Sequence, residues 1–228
     1  MEKRPGIFND VIGPIMRGPS SSHTAASWRA AKICMNILNE PLKKAVIDFD
    51  KDGAWAPNYR EQGTTIGIDG GLLGLDMADD RIKHTEKVAD ERGVSIIYEV
   101  NSFPTNHVNT FRLALEGIHG RQIQVIAISI GGGSFEIQEV NGFEIHINGG
   151  FYEVILINAN SNISFNDIQS TFPECKSVFE SFKDDERLLN LKFSKEISDE
   201  IIDKLSSIFS FDDLIITKRV FQIIMVNE

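Results

Sequence analysis

The chain has 228 residues, 42% of them hydrophobic, enough to bury a core in one large domain or two small ones. Lys and Arg number 23 against 33 Asp and Glu, a formal net charge of −10 that disfavours a nucleic-acid backbone as partner. No run approaches the roughly 18 apolar residues that span a bilayer. Met1 to Phe8 carries charges with no apolar stretch behind them, so a cytoplasmic protein without a signal peptide or membrane segment is expected. The two cysteines, Cys34 and Cys175, lie far apart, neither with a second cysteine at metal-site spacing. Each is read as a buried small hydrophobe, and no metal ligands are assigned to this chain.

In chain order, Met1 to Arg17 is punctuated by Pro5, Gly6, Gly13 and Pro14 and reads as extended or turning. From Thr24 to Leu38, Ala25, Trp28, Ala31, Cys34, Met35 and Leu38 recur at helical steps, predicting one buried stripe, with Ser20, Ser21 and Ser22 where caps belong and Pro41 as the stop. Lys44–Phe49 alternates as a strand. Thr64–Leu75 reads as a helix that packs closely through Gly67, Gly70, Gly71 and Gly74. Val94–Val100, His107–Leu115 and Arg121–Ile130 read as strands, and Ser134–Val140 with Gly142–Ile147 as a hairpin turned by Asn141-Gly142.

The character changes around Asn148-Gly149-Gly150, where a domain boundary is placed, giving units 1–148 and 149–228. Beyond it Phe151–Ile157, Lys176–Phe182, Leu188–Phe193 and Leu214–Thr217 read as strands. Phe165–Thr171 and Ser198–Phe209 read as helices, the second carrying Ile201, Ile202, Leu205 and Ile208 on one face. The order βαββαβ predicts a small α+β sandwich. Asp184-Asp185-Glu186 reads as a solvated turn, and Gly131-Gly132-Gly133 as a turn needing positive φ.

The stretch that carries chemistry is Gly18-Pro19-Ser20-Ser21-Ser22-His23-Thr24. Hydroxyls and unpaired N–H groups at the positive end of a helix make a place for a carboxylate or phosphate. His23 adds a side chain that exchanges a proton near neutrality. The plain alternative is a serine cap beside a surface histidine.

Gly18 to Ala25, with the preceding Phe8-Asn9-Asp10-Val11-Ile12-Gly13-Pro14, closely resembles the start of the β subunit of iron–sulfur-dependent L-serine dehydratase. Further segments are similar to the same family in the same order. They are Gly70-Gly71-Leu72-Leu73-Gly74-Leu75-Asp76, His107-Val108-Asn109-Thr110-Phe111-Arg112, and Ser129-Ile130-Gly131-Gly132-Gly133-Ser134, followed by Asn141-Gly142-Phe143.

The resemblance implies an α+β chain: a serine-dehydratase β-type (allosteric-substrate-binding-like) domain followed by an ACT-like domain. It implies a two-chain lyase in which a cysteine-bearing α subunit holds a 4Fe-4S cluster, and L-serine or a related amino acid is dehydrated and deaminated to pyruvate and ammonia. By carry-over Ser20, Ser21 and Ser22 hold the substrate carboxylate, His23 and Thr24 serve proton abstraction or orientation, and Gln62, Thr64, His107 and Asn109 complete the substrate site. The C-terminal unit is expected to pack or to form a homodimer.

The chain departs from the family at Glu61-Gln62-Gly63-Thr64-Thr65, where the family carries Gly-His-Gly-Thr-Asp. Gln62 replaces a histidine, and an amide carries no proton across neutral pH. Asp52-Gly53-Ala54-Trp55-Ala56-Pro57 and Asn158-Ala159-Asn160-Ser161-Asn162 also differ from the family's turns. The alternative reading is therefore a non-catalytic carboxylate-binding or structural subunit.

Overall fold

The computed structural model describes residues 16–160 and 163–220, and of Phe165 only the backbone. The expectations for Met1 to Ile15, including Phe8 to Pro14, and for Ser161 and Asn162 lie outside the described residues.

A π-helical turn, Ser21–Ala25, runs directly into helix α1, Ala26–Leu38. Strand β1 (Leu42–Asp50), helix α2 (Thr64–Leu72), a 3-10 turn (Asp80–His84), helix α3 (Thr85–Arg92) and strand β2 (Ser95–Asn101) follow. Strands β3 (Thr110–Gly117), β4 (Gln122–Gly131), β5 (Ser134–Val140) and β6 (Phe143–Ile147) complete a six-stranded sheet of order β2-β1-β3-β4-β5-β6. Only the β1–β2 pair is parallel, joined through α2 and α3 as a crossover requires.

Helices α1 and α2 cross almost backbone to backbone. A Cβ on Gly67 would stand 2.2 Å from the Thr24 carbonyl oxygen, and one on Gly71 2.5 Å from that of Trp28. Glycine is what allows this approach at Gly67 and Gly71, while Gly70 makes room for the Ile82 side chain. Gly74 is different: φ is +69° there with open space around it, so α2 stops at Leu72 instead of running to Leu75. The buried face of α1 is also wider than one apolar stripe. Ala26, Ser27, Arg29, Ala30, Ile33 and Ile37 are buried, because α2 covers the helix on one side and the sheet on the other. The sequence reading gave no helix between Asp76 and Gly93, where the 3-10 turn and α3 stand.

The Asn141-Gly142 turn has both residues at positive φ, as a two-residue hairpin demands. After Asn148 to Phe151 the chain enters a second, fully antiparallel sheet: strands β7 (Tyr152–Ile157), β8 (Cys175–Lys183), β9 (Glu186–Phe193) and β10 (Asp213–Thr217), in the order β10-β7-β9-β8. Helices α4 (Phe165–Thr171) and α5 (Asp199–Ile208) connect them, giving β7-α4-β8-β9-α5-β10, a split βαβ arrangement.

Alternation in the second sheet sends its two faces to different partners. Val154, Leu156, Leu189 and Leu191 meet Ile168, Phe172, Leu205 and Phe209 beneath the helices. Ile155, Leu188 and Ile215 on the other face join the core of the first sheet. The seam between the sheets is also hydrogen-bonded: Ser181 Oγ donates to the Glu144 carbonyl at 2.7 Å, and Lys183 Nζ to that of Asn141 at 2.9 Å. No helix among the described residues is long and apolar enough to cross a membrane.

Candidate active site

The serine-rich loop is built from below. Gly18 and Gly63 close over Thr24, leaving no room for a Cβ at either position. Thr24 is fully buried, and its hydroxyl donates to the Gln62 carbonyl at 3.4 Å. The helix does not start at Thr24 as its apolar spacing suggested. The Thr24 N–H bonds the Ser20 carbonyl at 2.7 Å and the wider π turn begins at Ser21. The Ser27 hydroxyl lies 2.5 Å from the His23 carbonyl and 3.2 Å from those of Thr24 and Thr64, supplying a donor where the widened turn spaces its carbonyls badly.

None of the three serines acts as a side-chain cap. The Ser20 hydroxyl sits 3.1 Å from His23 Nδ1 instead, and no side-chain cap bond forms at the turn. Ser21, Ser22 and His23 are half-buried. The first N–H groups of a helical segment lack intrahelical carbonyl partners, and the three serines stand at that head. That arrangement suits a small anion.

The His23 ring lies flat against Trp55, with centroids 5.3 Å apart and 28° between planes. Trp55 is buried and stacks in turn on Phe111 at 5.0 Å. Burial holds the imidazole pKa below its ordinary value, while the side chain of Asn58 acts in the opposite direction. The lowered pKa favours the neutral imidazole, the form that accepts a proton.

A second strap comes from the sheet. Ser129 Oγ donates to the Ser22 carbonyl at 2.9 Å, and Asn109 Nδ2 to the Ser129 carbonyl at 3.4 Å. Gly131, Gly132 and Gly133 all have positive φ, and the Gly133 carbonyl accepts from the buried Arg29 guanidinium at 2.6 Å.

The structure therefore brings Ser20, Ser21, Ser22, His23 and Asn109 to one surface and treats the other predicted residues differently. Thr24 and Thr64 are buried in the helix crossing, where their hydroxyls face protein. Gln62 is half-buried and contributes its carbonyl to Thr24. His107 belongs to a turn rather than to a strand starting at that residue: its Nδ1 accepts the Asn109 N–H at 3.1 Å, and β3 begins at Thr110. Sequence reading marked Trp55 only as a residue that shapes a pocket, and gave no site role to Asn58, Ser129 or Arg29. For Arg29 the available signal was position, since a charged residue among the small residues that follow the serine loop is buried only with a partner.

Neither cysteine suits a cluster. Cys34 is fully buried inside α1 with its thiol pushed strongly towards the protonated form, and Cys175 is buried in the second sheet, its thiol pushed up by burial too. No group of three or more His, Cys, Asp or Glu side chains is placed to hold a metal ion among the described residues.

No protein-family model matches the chain. It is 31% identical over 212 residues to the probable L-serine dehydratase beta chain of Bacillus subtilis (strain 168), an alignment covering 87% of this chain and 92% of that protein. It is 33% identical over 148 residues to the L-serine dehydratase beta chain of Peptoniphilus asaccharolyticus, covering 64% of this chain and 66% of that one. The chain belongs to the family of L-serine dehydratase beta chains.

Proposed function

We propose that this chain is the β subunit of a two-chain lyase that dehydrates and deaminates L-serine, or a closely related hydroxy amino acid, to pyruvate and ammonia. The observation that carries the reading is the assembly of Ser20, Ser21, Ser22 and His23 on one loop strapped to the sheet by Ser129. In this account the serine loop holds the substrate carboxylate through hydroxyls and backbone N–H groups. His23 takes up the proton released from the substrate, and Asn109 with Ser129 keeps the loop in place.

The 4Fe-4S cluster that the family resemblance implies belongs, in this reading, to a cysteine-bearing α subunit. The buried, protonated thiols of Cys34 and Cys175 do not fit it. When bound by that partner, the cluster supplies a Lewis acid for the substrate hydroxyl. The second unit, with its split βαβ order, is read as an ACT-like module that packs against the first and offers a surface for homodimerisation.

The test is anaerobic co-expression with the α chain, reconstitution of the cluster and assay of keto-acid release from L-serine. Release that requires both chains supports the reading. Full release by the α chain alone contradicts it. The absent family histidine at Gln62 favours a second reading, a regulatory subunit that binds a small carboxylate without chemistry. That reading predicts thermal stabilisation by the ligand and no elimination in any reconstituted mixture.

A further inference from the structure

The segment that differs from the family's pattern, Asp52 to Pro57, sets Trp55 against His23, and Asn58 follows directly after it. Trp55 and Asn58 are tied into a single turn, with the Asn58 N–H donating to the Trp55 carbonyl at 3.0 Å. The turn is anchored to the segment just before β3, since the Ala54 N–H donates to the Val108 carbonyl at 2.7 Å. One turn therefore sets an indole against the face of the imidazole and an amide beside it.

The ring nitrogens have different neighbours. Nδ1 faces the Ser20 hydroxyl at 3.1 Å. The Asn58 side chain favours the protonated ring, as an acceptor of a ring N–H does. Its Oδ1 is buried and closes no hydrogen bond within the chain. With Nδ1 already facing the Ser20 hydroxyl, Nε2 is the ring nitrogen left for this oxygen. A buried acceptor without a partner is costly, so this oxygen has a reason to seek a proton on that nitrogen. Ser20, Trp55 and Asn58 are uncharged, so no full charge among them competes with this choice.

We propose that Asn58 and Trp55 are positioning residues that fix His23 as the tautomer with its proton on Nε2, leaving Nδ1, the nitrogen facing Ser20, as the proton acceptor of the site. In the free chain Nδ1 takes the hydroxyl hydrogen of Ser20. With substrate on the loop, the same lone pair is turned towards the loop's occupant. The device is that of a histidine held in one tautomer by a second hydrogen bond, with an amide in place of the usual carboxylate or carbonyl. An amide acceptor orients the ring without a negative charge that would favour the imidazolium.

The proposal rests on His23 being the proton-transfer group, and its test separates the two ideas. The full chain, labelled with 15N, is titrated by NMR and the His23 ring nitrogens are followed in wild type, Asn58→Ala, Asn58→Asp and Trp55→Phe. The wild-type ring shows a protonated Nε2, an unprotonated Nδ1 and a midpoint below the ordinary imidazole value. Asn58→Ala lowers the midpoint further and mixes the tautomers. Asn58→Asp, which keeps the volume of the turn, raises it. Trp55→Phe, which keeps a ring in place, preserves the tautomer.

In the reconstituted complex at neutral pH, Asn58→Ala loses roughly tenfold in kcat/KM, the scale of a mispositioned general base. The acid limb of the pH profile moves with the NMR midpoint. A His23 tautomer and midpoint identical in all four proteins would overturn the proposal. A midpoint that moves by NMR beside an unmoved activity profile would support the positioning and overturn His23 as the proton-transfer group.

Discussion

The Ser129 hydroxyl donates to the Ser22 carbonyl at 2.9 Å, across 107 residues of chain. That bond fastens the serine loop to β4, in the strand that continues into the glycine turn. Replacing it should release the loop without touching a ligand. Ser129→Ala is expected to cost about 1 kcal/mol of stability, the net worth of one buried neutral bond. In the two-chain assay it raises KM for L-serine more than it lowers kcat. Urea unfolding together with steady-state kinetics checks both parts.

The crossing of α1 over α2 predicts a severe effect from a small change. A methyl group at Gly67 would sit 2.2 Å from both the Thr24 carbonyl oxygen and Ser27 Oγ. Backbone cannot yield there as a long side chain can. Gly67→Ala should destabilise the chain by roughly 1–3 kcal/mol, although alanine is the better helix former at an open position. A melting temperature equal to or above that of wild type would show that the helices are not in this contact.

Glu153 predicts an unusual dependence of stability on pH. It is fully buried where the second sheet faces the first, and neither carboxylate oxygen has a hydrogen-bond partner. Lys192 Nζ stands 3.8 Å away. Burial raises the Glu153 pKa to about 7, with Lys192 and Asn190 opposing it. A carboxyl whose pKa is higher folded than unfolded stabilises the fold at low pH, and that contribution is lost as pH rises from the unfolded value through about 7. Glu153→Gln should therefore be more stable than wild type at pH 8, by an amount on the order of 2–3 kcal/mol, and the difference should vanish near pH 4. Chemical denaturation at the two pH values measures it.

Much of this fold is legible in local pattern, and the exceptions have physical causes. β7 and β9 stand where their apolar runs predict strands, and Asn141-Gly142 gives the hairpin because few other pairs accept two positive φ values. Helix α3 escapes because Thr85–Arg92 offers only Val88 and Ala89 as apolar anchors, too few for a stripe. The width of α1's buried face escapes because Ser27 and Arg29 are polar, and they are buried by hydrogen bonds to carbonyls of other segments. The site divides in the same way. The serines and His23 are visible as a string, but Trp55, Asn58 and Ser129 reach them from distant segments. Thr24 and Thr64 look available in sequence and are enclosed by glycine-mediated packing.

The central claim is that the serine loop and His23 form one half of an active site. The most direct measurement is steady-state turnover of L-serine by the anaerobically reconstituted complex, comparing wild type with Ser22→Ala and His23→Gln. The account predicts a raised KM with nearly unchanged kcat for Ser22→Ala. For His23→Gln it predicts a fall in kcat on the order of 10²-fold or more. Turnover in which both variants match wild type in kcat and KM would contradict it.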